Sequence, residues 1–203
     1  MARWDPGTEE RLRQAAVELF QQHGYEHVTV TQIAERAGLT RRSFSRYFAD
    51  KREVLFAGSD QLAPALAQEI ADAGLSASPF AAVLHALGKV GNVLATHVKQ
   101  AGERRAIIDA SPELQERERT KLAGISSVIA RCLEQRSLEA GEALVLAEVA
   151  TVIFKHAFDR WISAAGQRRF DECLQEVNAS VVGLRAAGMA SYQQKSSRTK
   201  TSS

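Results

Sequence analysis

The chain is poor in the residues that interrupt or staple a fold: its 203 residues include four prolines and two cysteines. Scarce proline favours helix over loop, because few positions lose a backbone donor. Cys132 and Cys173 stand far apart without metal-ligand spacing, which argues against a zinc-type site and points to buried, reduced thiols. No apolar run is long enough to cross a bilayer, and the first residues lack a charged-then-apolar signal pattern. A soluble cytoplasmic protein with no membrane association is expected. The glycines are scattered rather than gathered into a phosphate cradle. The histidines do not cluster either: Gly24 separates His23 from His27, His85 and His97 fall at different angles around a helix, and His156 with Asp159 reads as an ordinary polar contact. No metal, cofactor or nucleophile pattern emerges, so an enzyme is the weaker class.

Net charge is small as well, formally +2, yet the basic residues are not evenly spread. Between positions 36 and 52 stand Arg36, Arg41, Arg42, Arg46, Lys51 and Arg52, opposed only by Asp50. The same stretch carries two short helical signatures. Thr29 followed by Gln32 is a capping box that starts a helix near Val30, with Ile33, Ala34 and Ala37 as its apolar face. Gly38 is placed to end it in a left-handed conformation, and Leu39 turns inward. Thr40 then caps a second helix containing Arg41, Arg42, Ser43, Phe44, Ser45 and Arg46. This is a helix-turn-helix, whose second helix enters the DNA major groove. A solvated charged face is the bland alternative, since most charge runs are that. Here the short helices, the glycine turn and the pair Tyr47–Phe48 agree with duplex DNA as partner. A purely structural helical protein would leave the arginine cluster unexplained.

The run from Thr8 to Leu55 resembles the DNA-binding domain of the TetR (tetracycline repressor) family. The matching elements are an apolar first helix ending His23-Gly24-Tyr25, then Thr29-Val30, Ile33-Ala34, Ala37-Gly38-Leu39, Tyr47-Phe48 and Lys51. The chain departs from the usual pattern at Arg42, where a small residue is common, and at Ser45, where an aromatic is common. The resemblance implies an all-helical homodimeric repressor with an N-terminal helix-turn-helix domain, released from its operator by a small molecule bound in a C-terminal helical domain.

The corresponding division is a DNA-binding domain over 1–52, a connecting helix over 53–75, a ligand-binding and dimerisation domain over 76–188, and a tail over 189–203. Leu12, Ala15, Ala16, Leu19 and Phe20 repeat at helical spacing and pack with Val28, Ile33, Leu39, Phe44, Phe48 and Leu55 in a small core. Asp5 and Pro6 start the first helix. Asp50 and Glu53 read as the cap of the connecting helix, with Pro64 inside it as a kink or break, more plausibly a static bend than a hinge. A helix follows from Phe80 to about Gln100, with Phe80, Leu84, Leu87, Gly91, Leu94 and Val98 on one stripe. A short helix over 103–110 and another from Pro112 to about Arg136 come next. Between Glu142 and Ala165 apolar residues cover most of a helix, which implies burial on two sides. Phe170, Leu174, Val177, Val181 and Leu184 repeat four-three-four-three, a packing seam expected at a two-fold dimer interface. The alternative is that both helices close the protomer's own core. From Ser191 onward the tail has no apolar anchor and is expected to be disordered.

The residues assigned to DNA are Thr29, Thr31, Thr40, Arg41, Arg42, Ser43, Ser45, Arg46, Tyr47 and Lys51. Arg41 and Arg42 are candidates for guanine edges or flanking phosphates; Thr29, Thr31, Ser45, Tyr47 and Lys51 suit phosphates. Phe154, Phe158 and Trp161 share one helical stripe and are assigned to a mainly apolar effector, although such a stripe is more often plain core. Rival readings are a DNA-binding protein without an effector and a redox-responsive regulator using Cys132 or Cys173.

Overall fold

A computed structural model of the chain describes residues 6–74, 77–96 and 98–184, and all regular structure among them is helical. The helices are α1 (Pro6–His23), α2 (Val30–Arg36), α3 (Arg41–Tyr47), α4 (Leu62–Asp72), α5 (Pro79–Leu94), α6 (Val98–Asp109), α7 (Pro112–Gln135) and α8 (Ala140–Ser163). A further helix, α9, covers 170–184. The expected Asp5 cap, His97 and the 189–203 tail lie outside the described residues.

Two apolar cores organise these helices. The first joins Leu12, Ala16, Leu19 and Phe20 of α1 to Ile33 and Ala34 of α2 and to Phe44 and Phe48 at α3. Ile107 and Ile108 of α6 and Leu114 of α7 complete it. The first core is therefore closed from outside by the corner between α6 and α7. The second core gathers Leu66 and Ile70 of α4, Val83 and Leu87 of α5, Ile129 and Leu133 of α7, and the inner face of α8.

The connecting helix is shorter than the sequence implies. Residues Glu53–Phe56 and Ser59–Gln61 form single 3-10 turns separated by Gly58 at φ 77°, and the α-helix begins only at Leu62. Val54, Leu55 and Phe56 are all buried. Three successive residues of an α-helix fan across about 200°, too wide for one buried face; a tight turn brings all three into the first core. Asp50 does cap, accepting from the amides of Arg52 (2.8 Å) and Glu53 (3.3 Å), but what it caps is this turn. Pro64 introduces no kink. It is the third residue of α4, in the first turn, where its missing N–H has no intrahelical partner to lose.

The stretch expected to be one helix to about Gln100 is divided: α5 stops at Leu94, Ala95 caps it, and α6 runs from Val98. The buried face of α5 is Ala82, Val83, Ala86, Leu87, Val90 and Gly91, so the apolar surface ends at Gly91 and Val93 is exposed. The proposed dimer seam is also redistributed. Phe170 and Leu174 are 1% and 4% exposed within the protomer, and Val177 and Val181 pack against the same core. Of the five seam residues, Leu184 alone projects outward as an exposed large hydrophobic. The four-three repeat thus closes the protomer's own core, because α9 lies against the groove that α5 and α8 leave open.

Candidate nucleic-acid interface

The helix-turn-helix is built by hydrogen bonds between near neighbours in sequence. The Thr29 hydroxyl accepts from the Gln32 amide (3.3 Å), and the Gln32 carboxamide oxygen accepts from the Thr29 amide (2.8 Å). At the far end Gly38 takes φ 70°, its amide reaches the Glu35 carbonyl (3.0 Å), and the Leu39 amide reaches the Ala34 carbonyl (2.8 Å). That pair of bonds is the Schellman termination, which a residue with a Cβ adopts only with strain. Thr40 restarts the chain as a helix by accepting from the Ser43 amide at 3.1 Å.

The register of α3 then follows. Phe44 and Phe48 point into the core with ring centroids 5.5 Å apart, and Tyr47 lies half-buried beside them. Arg41, Arg42, Ser45 and Arg46 are exposed. The six basic residues of this region separate into two groups. Arg36 reaches back to Glu18 of α1 (3.3 Å), and Arg52 pairs with Asp50 (2.7 Å) and Glu113 (3.5 Å). Lys51 donates to the carbonyls of Tyr25 (2.7 Å) and Val28 (3.0 Å), with Glu26 at 3.4 Å, and its ammonium lies 4.1 Å from the Tyr25 ring centroid. The side chains of Arg41, Arg42 and Arg46 hold no hydrogen bond or ion pair among the described residues. Three uncommitted guanidinium groups on one exposed helical face form a surface fitted to phosphates and base edges.

The remaining sequence-assigned residues fall around this face. Thr31 and Thr40 are exposed, Thr29 is exposed but its hydroxyl is used in capping, and Ser43 is half-buried with its hydroxyl 3.1 Å from that of Thr40. The Ser45 hydroxyl donates to the Arg41 carbonyl at 3.2 Å. Lys51, assigned from sequence to a phosphate, instead clamps the turn between α1 and α2. Its three donors reach carbonyls more than twenty positions away, a relation no local pattern reveals. Lys51→Met is expected to destabilise the domain by about 2 kcal/mol, the scale of charge-assisted hydrogen bonds, while leaving the salt slope of DNA binding unchanged. Thermal melts and a salt titration check this; a slope reduced by about one would return Lys51 to the phosphate.

A second feature invisible in the sequence is a polar seam tying this domain to α7. Tyr25 donates to Glu113 (3.2 Å) and Ser111 to Glu26 (3.1 Å). Glu53 receives both Arg117 (2.6 Å) and Lys121 (3.2 Å), and Lys121 also holds Asp60 (2.8 Å). Glu113, Arg117 and Lys121 follow at four-residue intervals, so one stripe of α7 faces the domain. Burial disfavours the Glu53 carboxylate, but hydrogen bonds from Arg117 and Lys121 outweigh this and hold its pKa below the usual carboxylate range. A depressed folded pKa contributes stability that is present above the unfolded value, about 4.3, and is lost as pH falls through the folded value. Glu53→Gln is therefore expected to cost about 2 kcal/mol at neutral pH and to flatten the loss of stability below about pH 4. Denaturant melts across pH check it, and an unchanged acid limb would remove Glu53 from the seam's energetics.

The residues assigned to an effector lie in the second core. Phe154, Phe158 and Trp161 form a wall with successive centroid separations of 6.3 and 5.3 Å. Phe170 covers it, 5.4 Å from Phe154 and 5.9 Å from Phe158. Two open clefts have mixed walls: one of about 220 Å³ is lined by Arg105, Asp109, Lys155, Asp159 and Ile162, and one of about 450 Å³ between α5 and α9 by Leu84, Gly88, Lys89, Arg169, Asp171 and Leu174. Asp159 is engaged by Lys155 at 3.1 Å. Burial raises the thiol pKa of both Cys132 and Cys173, lowering the thiolate fraction that redox sensing requires. The described residues contain no group of three potential metal ligands and no helix long and apolar enough to cross a membrane.

Comparison with known proteins bears on the same regions. Residues 12–57 match the family model for bacterial regulatory proteins of the tetR family, and residues 77–192 match that of the MftR C-terminal domain. The HTH-type transcriptional regulator TcmR of Streptomyces glaucescens is 51% identical over 47 residues, 23% of this chain and 21% of that protein. MftR of Mycobacterium tuberculosis, named for transcriptional regulation of mycofactocin biosynthesis, is 31% identical over 131 residues, 64% of this chain and 66% of that protein. Among solved structures, FadR of Bacillus subtilis in complex with stearoyl-CoA superposes with a TM-score of 0.55 at 17% identity. That match covers 83% of this chain and 94% of FadR, and shows a shared fold.

Proposed function

Because the chain belongs to the TetR family of bacterial transcriptional regulators, we propose that it is a homodimeric repressor whose α3 reads a palindromic operator and which a small-molecule effector releases. The observation that carries the DNA-binding part is the face of α3, where Arg41, Arg42 and Arg46 are exposed and uncommitted. Phosphates supply most of the affinity of such a surface, and bidentate arginine–guanine contacts supply selectivity. Two-fold symmetry of the dimer requires inverted half-sites about 34–36 Å apart or a multiple of that distance. The seam from Glu53 to Arg117 and Lys121, with Ile107, Ile108 and Leu114 in the first core, supports a regulatory domain mechanically joined to the reading head. An effector acts only by binding the DNA-incompetent arrangement more tightly than the competent one.

Selection of bound duplexes from a random library, followed by footprinting, tests the reading. The expected product is an inverted repeat protected on both half-sites. Enrichment of no sequence, or of an unpaired half-site alone, would refute the dimeric operator-binding reading. Effector control is tested separately by a thermal-shift screen coupled to operator release: ligands that stabilise the protein without changing operator affinity would leave a DNA-binding protein without induction.

A further inference from the structure

We propose that Phe170 is a displaceable plug, and that the space it fills between Gly91 and the wall of Phe154, Phe158 and Trp161 is the effector subsite for neutral, ring-bearing apolar molecules. This deepens the effector-regulated reading above and rests on it. The ring of Phe170 occupies the place a side chain would take at Gly91: an ideal Cβ built there would lie 2.0 Å from Cε1, 2.3 Å from Cδ1 and 2.7 Å from Cζ. The notch in α5 thus exists only because position 91 has no side chain, and an aromatic ring from another helix fills it. Its other face meets Phe154 at an interplanar angle of 61° and Phe158 at 58°, the edge-to-face and tilted geometries that aromatic quadrupoles favour. An incoming aromatic ring would inherit the same contacts.

The position of Phe170 distinguishes it from an ordinary core residue. It is the first residue of α9, immediately after a non-helical connection in which Ala165 and Gly166 have φ 51° and 70°. The ring is therefore carried by a helix end, and not by a helix interior locked on both sides. Swinging it out breaks no hydrogen bond, and the side chains left behind at the wall are aromatic. The wall and the plug carry no charged group, which sets the ligand class: a neutral ring, not an anion or a metal complex. The rate and extent of binding are then governed by how often the plug is out, since affinity falls by the fraction of molecules in the open state.

The test uses the full chain labelled with 4-fluorophenylalanine, with the Phe170 fluorine resonance identified by its loss in Phe170→Leu, and naphthalene as the probe. Naphthalene is expected to move the Phe170 resonance of the wild-type protein toward its solvent-exposed position. Phe170→Ala, which vacates the notch, is expected to bind naphthalene about tenfold tighter by removing the cost of opening, whereas Gly91→Ala, whose Cβ fills the same notch, is expected to weaken binding. A Phe170 resonance unmoved at saturating naphthalene overturns the plug, as does a folded Phe170→Ala variant that binds no tighter. Should Phe170→Ala fail to fold, the wild-type resonance decides alone. Operator affinity is measured on the same samples as a separate readout. Displacement of Phe170 without loss of operator affinity would keep the subsite and discard effector control.

Discussion

Replacing Arg41, Arg42 and Arg46 together with alanine is expected to lower operator affinity about a thousandfold while leaving the thermal midpoint unchanged. The two effects separate because these side chains hold no intramolecular hydrogen bond or ion pair among the described residues. Each base-reading arginine is worth about 1–3 kcal/mol, and each lost phosphate contact reduces the salt slope by about 0.9. The single change Arg42→Ala resolves its role: a base contact relaxes preference at one position, whereas a phosphate contact weakens all sequences alike. Binding to the selected operator and to scrambled duplex across a salt series supplies both readings. Retention of full affinity by the triple variant would remove α3 from the interface.

A charge on the outer face of α8 is expected to separate the proposed dimer. Leu144, Val145 and Val152 of α8 and Val182 and Leu184 of α9 are between 51% and 75% exposed in the protomer. Val145 and Val152 stand seven residues apart, on one face of the helix. Val152→Asp is expected to sediment as a monomer at micromolar concentration and to lose about 100- to 10 000-fold in operator affinity, the gain normally supplied by linking two half-site contacts. Leu174→Asp, which places a charge in the protomer's own core, is expected to unfold the chain instead. A dimeric Val152→Asp with full affinity would place the interface elsewhere, and a monomeric wild type would abolish it.

The DNA-reading element was legible because its determinants are short-range. Thr29 with Gln32, Thr40 with Ser43, and the Gly38 turn all close hydrogen bonds within five residues, so spacing alone reveals them. The inward assignment of Phe44 and Phe48 followed from helical periodicity and is what the first core contains. The connecting segment misled because Asp50 and Glu53 carry a real capping signal, which the consecutive burial of Val54, Leu55 and Phe56 turned into a 3-10 turn. The four-three repeat of α9 misled for a different reason: periodicity reports that a face is apolar and does not report what covers it.

By itself, then, the sequence determined the helical class, the helix-turn-helix and the exposed basic face of α3, each set by contacts within a few residues or by a repeat of 3.6. Tertiary structure decided which of several chemically equal side chains remain available. Arg36, Lys51 and Arg52 are as basic as Arg41, Arg42 and Arg46, but the first three meet partners on other segments. Phe170 and Leu184 belong to one repeat, yet one is buried under Gly91 and the other projects outward. The pairs that settle these outcomes, such as Tyr25 with Glu113 and Glu53 with Arg117, lie 88 and 64 positions apart. Contacts at that separation depend on how whole helices pack, through the combined burial of two cores, and no local pattern encodes them.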